Sequence, residues 1–191
     1  MRSLHGFIVE PLNNQRYSHT KELSGQKVIK SVSKEDARNS NREGVVIETP
    51  VGYNGPVEKG DTLIVHHNVF KFYNDIQGRE KNGRSFLKDN KFIVEDDQWF
   101  MYKKTGADWC ARENCCFIEP VSVNDFWMIV PGIGFHLVGK VAYANTRLQE
   151  MGICKGDLVG FLPESEYEFD VDGKVLYRVF TNHICIKIDE N

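Results

Sequence analysis

The sequence predicts an all-β protein made of two tandem copies of one small β-barrel unit, the first copy carrying a long insertion. Three observations lead there. Blocks of sequence recur in the same order, candidate strands are short and evenly bounded by turn formers, and amphipathic helical runs are almost absent. Phe7-Ile8-Val9-Glu10-Pro11 answers to Phe117-Ile118-Glu119-Pro120, and Gly44-Val45-Val46 answers to Gly139-Lys140-Val141. Lys59-Gly60-Asp61 matches Lys155-Gly156-Asp157, and the stretch from Phe92 to Lys103 lies without gaps on Tyr177 to Ile188. The copies stand 109 residues apart at the prolines, 95 at the glycines, 96 at the aspartates and 85 at the last block. Each change of offset falls in polar or Gly-rich sequence, where insertions are tolerated at a surface.

Runs rich in β-branched and aromatic residues mark the strands. In the first copy they are 6–11, 45–49, 62–67, 92–94 and 99–102; in the second they are 140–144, 158–162, 167–171, 174–180 and 183–188. Asp172-Gly173 between two alternating runs signals a tight hairpin. Each Lys-Gly-Asp step reads as a turn that lets the chain re-enter a sheet. The repeat divides the chain into units 1–108 and 109–191.

A net charge of −3 and a pI near 6.1 provide no basic face for nucleic acid. No apolar run approaches the roughly 18 residues of a membrane span, and the first residues lack the pattern of a secretory signal. The five cysteines are an odd set with three crowded at Cys110, Cys115 and Cys116. This suits reduced thiols in a cytoplasm better than a disulfide framework.

The order of parts resembles the GroES-type co-chaperonin unit: an opening strand ending in a short polar motif (Phe7–Pro11), a long loop, a Gly-x-Val strand (Gly44 to Val46), a turn similar to Val57-Glu58-Lys59-Gly60-Asp61, then a hydrophobic strand, a roof hairpin and a closing strand. The doubled layout looks like the double-unit co-chaperonins of plastids. The resemblance implies two partly open β-barrels, no catalysis and no cofactor. It also implies a mobile loop that docks on the rim of a chaperonin ring, which alone uses ATP, and self-association into a ring that caps the folding chamber.

Residues 15–43 are polar and rich in Ser, Lys and Asn, as a mobile loop would be. Their one compact aliphatic element is Val28-Ile29, with Gly25 before it and Val32 after, and the resemblance makes these four the chaperonin-binding residues. The same pair reads equally as a strand in an ordered insertion. In the second copy, Met128, Ile129, Val130 and Ile133 form a more apolar segment, a second docking element or, more readily, a buried interface.

Two clusters invite chemistry. Cys110-x4-Cys115-Cys116 lacks the paired spacing that zinc sites use and reads as free thiols. His66-His67, as neighbours on a strand, are expected to point to opposite faces and not to share a site. No Ser-His-Asp signature, phosphate-binding loop or dinucleotide fingerprint is present. The leading expectation is a co-chaperonin-like cap; the alternative is a structural or assembly barrel, for example of a viral particle, that keeps the fold without chaperonin binding.

Overall fold

A computed structural model of the chain describes residues 3–17, 20–23, 26–29, 40–121 and 137–189, with backbone alone at 20–23 and 26–29. Among the described residues the fold is all-β apart from one short helix and a few 3-10 turns. The chain divides into two compact units, Met1–Asp108 and Trp109–Asn191. No helix among the described residues is long and apolar enough to cross a membrane.

The first unit contains β1 (Phe7–Pro11), β2 (Thr20–Leu23), β3 (Gln26–Ile29), β4 (Glu43–Glu48), β5 (Thr62–Val65), β6 (Phe72–Asn74), β7 (Glu80–Asn82), β8 (Phe92–Val94) and β9 (Trp99–Lys103). Five of these lie side by side in the order β8-β1-β4-β5-β9, while β2-β3 and β6-β7 form separate two-stranded hairpins. Alternating side chains from one face of the sheet, among them Phe7, Val9, Leu63, Val65, Phe92 and Val94, join Phe70 and Trp99 in one core.

The second unit contains β10 (Trp109–Ala111), β11 (Cys115–Pro120), β12 (Val138–Tyr143), α1 (Thr146–Glu150), β13 (Leu158–Phe161), β14 (Tyr167–Val171), β15 (Lys174–Phe180) and β16 (Ile184–Ile188). Its sheet runs β14-β15-β11-β12-β13-β16. Cys116, Ile118, Val141, Leu148, Val159, Phe161 and Val179 form its core. In neither unit does strand pairing among the described residues close the sheet into a barrel.

The two units share strand order and register. Pro11 faces Gly44 across β1 and β4, and Pro120 faces Gly139 across β11 and β12; the pairing slips at Ile8/Val9 in one and at Phe117/Ile118 in the other. Thr62 faces Lys103 as Leu158 faces Ile188. Phe7 faces Val94 as Cys116 faces Val179. These pairs are the ones that the sequence offsets superimpose. A one-residue slip in any block would turn its apolar set away from the core, so the matching registers follow from the matching patterns.

The Lys-Gly-Asp steps fold identically. Gly60 and Gly156 both have φ +95°, where a side chain would be strained. Asp61 Oδ2 accepts from Glu58 N at 2.8 Å, and Asp157 Oδ2 accepts from Cys154 N at 2.8 Å. In each turn the glycine N–H donates to the carbonyl of Val46 or Val141, and that residue's own N–H returns to the aspartate carbonyl, all at 2.8 Å. Asp172 and Gly173 both have positive φ between β14 and β15, the geometry of a two-residue hairpin turn.

The units diverge after the third strand of the common sheet, β5 in the first and β13 in the second. In the second unit, β14 joins the sheet directly. In the first, the chain folds out into β6 and β7, whose side chains are exposed apart from the buried Phe72.

Candidate functional site

The longest connection within the first unit's sheet leaves β1 and returns to β4, and the described residues at its two ends form one network. After β1 a 3-10 turn, Leu12–Asn14, leads to Arg16 and Tyr17. Tyr17 bridges Ser40, and Asn41 N donates to Arg16 O at 3.0 Å. Asn41 Nδ2 donates to Gln15 O at 2.8 Å and to Leu12 O at 3.2 Å, while its Oδ1 accepts from Glu43 N at 2.9 Å. One amide side chain therefore ties the outgoing strand to the returning one. The insertion 18–39 springs from a closed base.

The same base is fastened to the β6–β7 excursion. Arg16 Nε donates to Phe70 O at 2.9 Å and Nη1 donates to Asn82 Oδ1 at 2.8 Å. The guanidinium lies 5.0 Å from the Phe72 ring centroid, 5.1 Å from Phe92 and 5.9 Å from Phe86. Such contacts with ring faces gain strength as water is removed. Burial works against the Arg16 charge, and Tyr17 and Glu80 oppose that effect. Tyr17 OH accepts from Phe72 N at 3.2 Å and its ring packs edge-on against Phe72 at 4.9 Å. Ser40 Oγ donates to His67 O at 2.9 Å, and Asn90 Nδ2 donates to the Asn14 side chain.

Of the expected docking residues, Val28 and Ile29 lie in β3, where they pair with Lys21 and Thr20 of β2. Gly25 and Val32 lie outside the described residues, as do Met128, Ile129, Val130 and Ile133. Reasoning from sequence missed Arg16, Tyr17, Ser40 and Asn41. The one signal for them was an arginine-aromatic step directly after a strand, which by itself carries no spacing to read.

His66 and His67 correct an expectation. Their rings stand 4.2 Å apart and 37° from parallel, so they lie together and not on opposite faces. The strand ends at Val65, and the chain then turns, with Val69 N donating to His66 O at 3.0 Å. Strand alternation no longer applies there. His67 is held down to about 4, by burial first and then by the positive charge of His66, Arg42 and Lys71.

The cysteines form no disulfide: Cys110, Cys154 and Cys185 are exposed, Cys115 and Cys116 buried. Burial pushes both buried thiols up to about 12. Among the described residues no three His, Cys, Asp or Glu side chains gather in a way that would hold a metal ion. No protein-family model matches the chain, and no curated protein matches it.

Proposed function

We propose that the chain is a co-chaperonin-like protein whose insertion 18–39 docks on the rim of a chaperonin ring, so that a ring of these chains caps the folding chamber. The observation that carries this reading is the closed base at Tyr17, Ser40 and Asn41. It holds a long polar insertion, with Val28-Ile29 as its compact aliphatic element, at one point of a compact β unit. A segment that orders on docking loses entropy and binds weakly alone; copies arranged in a ring restore affinity through multivalency. The protein performs no bond chemistry in this reading, and ATP turns over in the partner. Each unit is read as a partly open barrel of the co-chaperonin type.

Ring assembly would use strand edges. β16 ends its sheet with Ile184, Ile186 and Ile188 half-buried on alternate positions, an edge suited to pairing with another chain. Because each chain supplies two units, a ring of whole chains holds an even number of them.

The test is co-sedimentation with a chaperonin tetradecamer and nucleotide, comparing the intact protein with a Val28→Asp, Ile29→Asp double variant. Nucleotide-dependent binding that the double variant loses is the expected result. Failure of the intact protein to bind its cognate chaperonin would end this reading. The second reading, a structural or assembly protein, is favoured by the pairing of Val28 and Ile29 with β2, since a paired strand has less to order on docking.

A further inference from the structure

Beside the β6–β7 excursion lies a cleft of about 450 Å³, a size typical of small-ligand sites, whose polar lining is Asn68, Lys71, Tyr73, Arg84, Ser85 and Gln98. We propose that this cleft binds a phosphate group. Two lining residues are cations and none is acidic. A carboxylate, Glu95, engages the lining Arg84. It accepts from Arg84 Nη2 at 2.7 Å and also from the backbone of Gln98 in a capping box, so it serves to hold the arginine and the turn in place. Gln98 Oε1 is used by Glu95 N at 3.0 Å, which leaves its amide N–H groups as the part able to serve a ligand.

The backbone around the cleft is set firmly. Gly83 N donates to Lys71 O at 3.1 Å, His66 N donates to Gln98 O at 2.8 Å, and Ile93 N donates to Ser85 O at 2.7 Å. The donors therefore come from three separate stretches of chain held in register. Lys71 also acts on His67, whose proton is disfavoured first by burial and then by the positive charge of His66, Arg42 and Lys71. Donors supplied from three stretches suit a tetrahedral oxyanion that accepts from several directions, more than a carboxylate accepting in one plane.

This site is independent of chaperonin docking and is tested apart from it. The full chain is titrated with inorganic phosphate, with AMP and with acetate at one fixed ionic strength, following heat and the side-chain amide signals of Asn68 and Gln98. Saturable phosphate binding with shifts confined to the cleft is expected, weakened about fivefold or more in Lys71→Met and in Arg84→Gln and retained in Lys71→Arg. Tighter binding of AMP than of phosphate assigns a nucleotide as the source, and equal binding assigns free phosphate. An absence of saturation, indifference to both cation-removing variants, or equal binding of acetate would overturn the proposal.

Discussion

Arg16 shows how one residue organises an end of the molecule. Its guanidinium joins a carbonyl, an asparagine and three phenylalanine rings, and with Tyr17 it fastens the base of the insertion to the β6–β7 excursion. Asn145 does comparable work in the second unit: Nδ2 donates to Glu113 O and Cys115 O, both at 2.8 Å, while Oδ1 caps α1 by accepting from Leu148 N at 2.8 Å. The cysteines supply the residue-scale prediction. At pH 8 a thiol reagent should modify Cys110, Cys154 and Cys185 and leave Cys115 and Cys116 untouched until the protein unfolds, as counted by mass. Because the folded state raises the pKa of both buried thiols, they favour folding below their unfolded pKa, and that contribution is lost as pH climbs toward about 12. Modification of all five in the folded protein would contradict the burial.

At the scale of elements, the two Lys-Gly-Asp turns are the most regular feature. Each places a glycine at φ +95°, and a side chain in a left-handed conformation costs about 1–2 kcal/mol. Gly60→Ala and Gly156→Ala should therefore each lower stability by about that amount in urea unfolding. A loss in both variants well under half of this would show that the turns relax without strain. The β6–β7 hairpin departs from the regular plan. Its tip is built by Asp75, whose Oδ1 accepts from Gln77 N and Arg79 N, both at 2.9 Å, and it leaves Ile76 fully exposed.

For the whole molecule, the division into two compact units is the governing feature. Each unit has its own core, and five strands of each follow the same order and register. A domain with its own core folds alone in principle. The fragment 109–191 retains Trp109, whose Nε1 donates to Asp172 Oδ2 at 2.9 Å, and should show a β-type circular dichroism spectrum with one cooperative thermal transition. A fragment without a cooperative transition would mean that the second unit needs the first.

The sequence by itself determined the all-β class, most main strands of both sheets and the matched blocks that pair alike in the two units. A two-residue alternation tied to a buried face leaves one pairing that keeps apolar groups inside, and matched glycine turns set where each strand begins. Hence the offsets at Pro11, Gly44 and Val94 reappear as cross-strand partners in both units. The sequence did not disclose β6 and β7, because three-residue polar strands such as Glu80–Asn82 carry no alternation to read. It also placed His66 and His67 on opposite faces, where the end of β5 brings them together. Tertiary structure alone decided that Arg16 meets Asn82, 66 positions away, and that Lys71, Arg84 and Gln98 border one cleft. Contacts between side chains distant in sequence depend on how loops close over the sheet, and no local pattern of residues encodes that closure.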